Sequence, residues 1–134
     1  MEDDVPAREV GGAIERLPEL LNGDTGFAFR ARAMSLDFVL VSGRNRFYVS
    51  VRAGRLEPVV RGSQILRSAA LAFAAEPEVW LAHWRPVPSP GNHDLFALVK
   101  DERLTIEGDT RVLVRHLQNF KDILAAPRAL FEDR

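Results

Sequence analysis

No cysteine occurs in the 134 residues, which excludes a disulfide scaffold, a thiolate metal site and a cysteine nucleophile. Long apolar runs are also missing, and none approaches the roughly 18 residues that a membrane-spanning helix requires. A strong charge of one sign is absent too: the formal net charge is −1, which argues against a dedicated nucleic-acid binder. Internal repeats and low-complexity tracts do not occur. The opening Met-Glu-Asp-Asp is acidic where a secretory leader would be basic and then apolar, so a soluble cytoplasmic protein is expected. There is no Gly-x-Ser-x-Gly elbow, phosphate loop, dinucleotide fingerprint or His-Glu-x-x-His helix. What is present, 46% hydrophobic and 28% charged residues, suits one compact domain over residues 1–134.

Charge is unevenly spread. Residues 1–24 balance to −5, residues 25–67 to +6, and the remainder to −2. The arginines fall at alternating strand positions, so a solvated sheet face is the simplest account. An anionic partner is the other, with the basic face then docking transiently on an anionic membrane.

Periodicity divides the chain. Ile14, Leu17, Leu20 and Leu21 predict a helix over residues 10–21, with a kink or break at Pro18 and a stop at Asn22-Gly23. From Gly26 the period becomes two. Phe27, Phe29, Ala31 and Ala33 predict a first strand; Leu36, Phe38 and Leu40 a second; Phe47, Val49 and Val51 a third. Ala53-Gly54 turns into a fourth over residues 55–60. The result is an antiparallel meander with one apolar face and one wet face of Arg30, Arg32, Arg46, Tyr48 and Arg52. Residues 64–75 fit either helix or strand, because alanine favours a helix while Ala69, Leu71 and Phe73 alternate.

Pro77 occupies a first-turn position, so a short helix is expected over 77–84. Residues 85–91 hold three prolines and form a loop. Asn92 is the expected N-cap, with Asp94 in the first turn, of a helix carrying Leu95, Phe96, Leu98 and Val99. Leu104 and Ile106 mark a strand ending at Gly108-Asp109, and Asp109 caps an amphipathic helix over 110–124 that presents Leu113, Leu117, Phe120 and Leu124. Pro127 stops that helix, leaving a final turn at 129–131.

The meander with the turn Arg52-Ala53-Gly54-Arg55-Leu56, the helix around Trp80, and Leu104-Thr105-Ile106-Glu107-Gly108-Asp109 running into a helix together resemble the sterol carrier protein type 2 (SCP-2-like) family. The likeness spans residues 27–124; the proline-rich loop and the acidic helical extension at 1–24 depart from it. The resemblance implies an α+β fold: a mostly antiparallel five-stranded sheet, helices over one face, and an apolar tunnel between the layers that takes a sterol, fatty acid or acyl-coenzyme A-like molecule. Facing and resemblance together give tunnel-wall positions at Phe29, Phe38, Phe47, Val49, Trp80, Trp84, Phe96, Leu113, Leu117 and Phe120.

Catalytic candidates are few. His83 and His93 with Asp94 invite a metal or acid–base reading, but their spacing matches no ligand signature, and a surface or helix-end role is simpler. His116 sits on the closing helix. Asp37, Glu57, Glu107 and Asp109 are each explained by strand or cap positions. Trp80 and Trp84 share a helical face, which either packs on the sheet or forms a wet-edged mouth; with the loop prolines they also suit a homodimer contact. The expectation is a non-catalytic lipid carrier with no metal, no cofactor and no nucleic acid partner. An interaction or accessory domain with a filled core, and a small-molecule isomerase or dehydratase using the apolar pocket, are the alternatives.

Overall fold

A computed structural model describes residues 4–62 and 68–131. The chain opens with helix α1 (Val5–Glu15), which starts where the Asp4 carboxylate accepts the Ala7 N–H at 2.9 Å. A break at Arg16 leads to α2 (Leu17–Asn22), so the expected helix begins earlier than residue 10 and is split. Pro18 lies in the first turn of α2, where its missing N–H costs nothing.

The expected first strand is instead α3 (Thr25–Arg30). Asp24 decides this, accepting the Phe27 N–H at 3.0 Å as an N-cap. The two-residue alternation of phenylalanines therefore has no sheet behind it. Phe27 is buried, Phe29 is 66% exposed, and Arg30 and Arg32 belong to the helix and the turn after it rather than to a sheet face.

Strands β1 (Leu36–Ser42) and β2 (Asn45–Arg52) form the expected hairpin, paired Phe38 to Val49 and Leu40 to Phe47. Ala53 and Gly54 then turn with φ of 51° and 80°, the handedness a tight hairpin requires. Glycine is needed at the second position, because a Cβ on Gly54 would lie 2.8 Å from the Ala31 carbonyl carbon. The fourth strand is divided: β3 (Arg55–Leu56) and β4 (Val60–Arg61) pair with opposite ends of β2, separated by a stretch containing Pro58.

Of the ambiguous residues 64–75, 64–67 lie outside the described residues, and Leu71–Ala75 form β5. β5 runs parallel to β1, and β6 (Leu104–Gly108) closes the sheet antiparallel to β5. The order is β3-β2-β1-β5-β6, with β4 beside β2 as well. The sheet is mixed, since β5 lies on the side of β1 away from β2 and runs parallel to β1, while the other pairs are antiparallel.

Helix α4 (Pro77–His83) matches expectation. Helix α5 (Leu95–Lys100) is capped by Asp94, whose carboxylate accepts the Phe96 N–H at 3.4 Å, and not by Asn92. The Asn92 amide is otherwise engaged, donating to Ser89 Oγ at 2.7 Å and accepting from Arg103 at 2.7 Å. Asp109 caps as expected, but the helix after it breaks at His116 into α6 (Thr110–Arg115) and α7 (Leu117–Ala125), followed by a 3-10 turn (Ala126–Phe131) that contains Pro127.

One buried cluster joins the inner sheet face, with Phe38, Leu40, Phe47, Val49, Val51, Leu71 and Phe73, to Ile14, Leu17, Phe27, Trp80 and Phe120 from the helices. The other face is wet only in part: Val39, Tyr48 and Ser50 are buried on it, so Tyr48 does not belong to an exposed arginine row.

Candidate functional site

Six of the ten expected wall positions meet in the core. Phe38, Phe73 and Phe120 form a triangle, with ring centroids 5.8 Å apart for Phe38–Phe73 and 5.3 Å for the other two pairs. The Phe38 ring meets each of the others edge to face, the arrangement favoured by the aromatic quadrupole. Phe47 and Val49 lie in the same cluster, and the Arg61 guanidinium sits 4.9 Å from the Phe47 ring while pairing with Glu15 at 3.3 Å. The centre of the layer between sheet and helices is thus occupied by side chains.

Trp80 and Trp84 are buried and stacked, with centroids 5.8 Å apart. They form no exposed mouth. The Trp80 indole N–H donates to the Val41 carbonyl at 3.1 Å and that of Trp84 to the Leu124 carbonyl at 2.6 Å, so α4 is tied by its two indoles to β1 and to α7. The remaining candidates are peripheral. Phe29 lies outside under the Arg32 guanidinium, 4.0 Å from its centroid; Phe96 is 42% exposed with Lys121 Nζ at 5.1 Å; Leu113 and Leu117 are half-buried. Phe29 lies away from the core because α3 buries Phe27 instead, and Phe96 because α5 buries Leu95 and Leu98.

A cleft of about 310 Å³ opens between α2–α3 and α7 with its 3-10 extension. Leu20, Leu21 and Phe27 line one side; Ala125, Ala126 and Ala129 line the other. Arg30 and Asp122 pair across it at 3.4 Å, and Asp24 contributes a second carboxylate. None of these residues was singled out from the sequence as lining a site. Adjacent Ala125 and Ala126, with Ala129 about one turn further on beyond Pro127, were the available signal, since small side chains leave room that leucines would fill. Another cleft, of about 260 Å³, is lined by Glu9, Leu81, Arg85, Pro86 and Phe131.

His83 is buried. Its Nδ1 lies 2.7 Å from the Asn92 carbonyl, so that nitrogen carries the proton and donates. Nε2 is buried with no hydrogen-bond partner. Burial pushes the imidazole pKa below its ordinary value, and Arg128, whose Nε and Nη2 donate to the His83 carbonyl at 3.2 and 2.6 Å, adds to the shift. The histidine therefore acts as a neutral strut between α4, the proline loop and the 3-10 turn. Asp37 pairs with Arg52 at 3.0 Å and Asp109 caps α6, accepting the Arg111 N–H at 2.9 Å, so these carboxylates hold the positions read for them. Among the described residues no three His, Cys, Asp or Glu side chains are grouped to hold a metal, and no helix is long and apolar enough to cross a membrane.

No family model matches the sequence, and no curated protein matches it. Solved structures do match by shape. The chain superposes on a crystal structure of sterol carrier protein 2 with a TM-score of 0.69 at 11% identity, over 87% of this chain and 94% of that one. A possible sterol carrier protein from Thermus thermophilus gives 0.64 at 12% identity, over 89% and 86%. A ubiquinone synthesis protein, UbiJ-SCP2, gives 0.57 at 18% identity, over 96% and 98%. The chain has the SCP-2-like fold, as the sequence resemblance implied.

Proposed function

We propose that the protein is a non-catalytic binder of a hydrophobic molecule, a sterol, fatty acyl chain or related lipid, held between the helices and the sheet. The cleft between α2–α3 and α7 carries this reading. Its apolar sides run from the surface to core residues Leu21 and Phe27, and the proteins sharing the fold include a sterol carrier. The ligand enters by parting α3 from α7. The only ion pair across that seam, among the described residues, is the exposed Arg30–Asp122 contact, and such surface pairs contribute about 1 kcal/mol or less. Inside, the apolar part of the ligand displaces Phe120 from its two ring partners and takes over Phe38, Phe73 and Phe120 as walls, with Phe47 and Val49 behind them. Arg30, Asp24 and Asp122 stay at the mouth, where they orient a polar head group.

The close packing of the three rings favours a second reading, an interaction domain with a permanently filled core. Native mass spectrometry of the purified protein, with lipid extraction under denaturing conditions, separates the two. A stoichiometric hydrophobic species supports the carrier. A bare mass, together with no thermal stabilisation by sterols, fatty acids or acyl-coenzyme A esters, overturns it in favour of the filled domain.

A further inference from the structure

Among the described residues, strand β6 ends the sheet on one side and pairs only with β5. Two bonds fix the direction of its backbone groups. The Gly43 N–H donates to the Ala75 carbonyl at 3.0 Å, so Ala75, and with it Phe73 and Leu71, faces β1. The Asp109 N–H donates to the Ala70 carbonyl at 2.9 Å, so the alternate residues Ala72 and Ala74 face β6. Hydrogen-bonded and non-bonded pairs alternate along an antiparallel ladder. Glu107 and Thr105 therefore bond to Ala72 and Ala74, while Leu104 and Ile106 turn their N–H and C=O groups outward. Among the described residues nothing pairs with those four groups.

We propose that β6 pairs antiparallel with β6 of a second copy of this chain, about a two-fold axis through Thr105, joining two sheets into one. In this register Leu104 bonds with the partner's Ile106, so all four outward groups are satisfied at each end of the pair. Charge selects the same register. Glu107, exposed and free of any ion pair among the described residues, comes opposite the partner's Arg103. The Arg103 guanidinium is already fixed on this edge by Asn92 Oδ1 at 2.7 Å and the Gly91 carbonyl at 3.0 Å, with the exposed Asp101 carboxylate a looser partner at 3.7 Å. Slipping one way sets Glu107 against the partner's Asp101, like charge on like. Slipping the other way leaves Arg103 facing the partner's Asp109, whose carboxylate is occupied in capping α6.

A five-residue edge is a small contact, and α6 supplies the apolar area it lacks. That helix follows β6 directly and carries Val112, Leu113 and Val114, none of them buried, with Val114 72% exposed. Antiparallel pairing brings the α6 end of each copy alongside the α5–β6 end of the other, where Phe96 is exposed.

Because the chain has no cysteine, Thr105→Cys introduces a single thiol at the axis. Two such residues form a non-bonded antiparallel pair with Cα atoms about 4.5 Å apart, inside the roughly 4.4–6.8 Å that a disulfide spans. Thr110→Cys, also exposed and near the edge, lies well off the axis and serves as the control. Under mild oxidation the Thr105→Cys protein is expected to form a covalent dimer at least about tenfold faster than Thr110→Cys. Light scattering of the unmodified protein is expected to show a concentration-dependent dimer mass, and Thr105→Asp, which sets two like charges opposite each other, to return it to the monomer. Equal crosslinking rates for the two cysteine variants, or a monomer mass at every concentration, overturn the proposal.

Discussion

Replacing Phe120 with alanine tests whether the space between helices and sheet is filled. The ring is fully buried and lies 5.3 Å from both Phe38 and Phe73. Removing a buried phenylalanine costs about 3–5 kcal/mol, part from lost transfer free energy and part from the cavity left behind. Aromatic pairs add about 0.5–1.5 kcal/mol each beyond their area, and two are lost, so a value near the upper half of that range, about 4 kcal/mol, is expected. In urea, with a slope of about 2 kcal/mol per molar for a domain of this size, the midpoint moves down by about 2 M. The buried Trp80 and Trp84 report the transition by fluorescence without any added label. The same variant separates the two functional readings. If a lipid enters the native layer, adding it stabilises the unsubstituted protein as well as the variant; in a permanently filled domain it stabilises at most the variant, through the cavity the substitution leaves. A midpoint shift below about 0.5 M, equivalent to about 1 kcal/mol, would show that Phe120 is not packed against Phe38 and Phe73 and would refute the description of the core.

Two glycines should respond in opposite directions to alanine. Gly54→Ala must hold φ near +80° with its Cβ against the Ala31 backbone and is expected to lower stability by more than about 1 kcal/mol, whereas Gly12→Ala, in a helix with nothing within 4 Å, should raise it by about 0.5–1 kcal/mol; thermal denaturation measures both. The Asn22 amide donates to the Leu56 carbonyl at 2.8 Å and accepts the Leu56 N–H at 2.9 Å, so Asn22→Ala should cost about 1–3 kcal/mol, with early hydrogen exchange at the Leu56 amide as its signature. His83 has a folded pKa below its unfolded value. The unfolded chain therefore binds the proton more readily, and stability contributed by the neutral ring is present above the unfolded pKa and lost as pH falls through the folded one. His83→Asn, which keeps a donor for the Asn92 carbonyl, should flatten that acid-side loss in urea titrations at several pH values; an unchanged slope would sink the assignment.

Elements whose signals are local were legible in the sequence. The β1–β2 hairpin follows from alternating residues on either side of a glycine turn, α4 from Pro77 in its first turn, and β6 with the cap of α6 from Gly108-Asp109. Where a local pattern was ambiguous, one side chain decided the outcome. Phe27 and Phe29 alternate like a strand, yet Asp24 three residues earlier supplies the cap that starts a helix, and the second ring is left outside. Asn92 is a good cap by type, but Arg103 and Ser89 compete for its amide across the proline loop, and the cap passes to Asp94. The parallel placement of β5 rests on a long-range crossing that no window of residues encodes. For the site, the sequence located the large rings that meet in the core, and it missed the alanines of the α7 seam because small residues carry little pattern.

The bonds between layers are unequal, and the proposed carriage of a lipid would use the weakest of them. Helix α4 is fixed by two indole bonds, to β1 at 3.1 Å and to α7 at 2.6 Å, and the 3-10 turn is fixed by Arg128 on the His83 carbonyl. These join α4, the end of α7 and the 3-10 turn into one unit. Across the α3–α7 seam the described polar contact is the exposed Arg30–Asp122 pair, and the cleft beside it is lined by Ala125 at the end of α7 and by Ala126 and Ala129 of the 3-10 turn. Burial of an alanine methyl group gains far less than burial of a leucine, since the gain scales at about 25 cal/mol per Å² of apolar surface. Parting this seam thus gives up less than lifting α4, whose indoles would leave two buried N–H donors without partners. A motion that admits the proposed ligand should move α3 away from these alanines, with α4, the end of α7 and the 3-10 turn staying on the sheet as one unit.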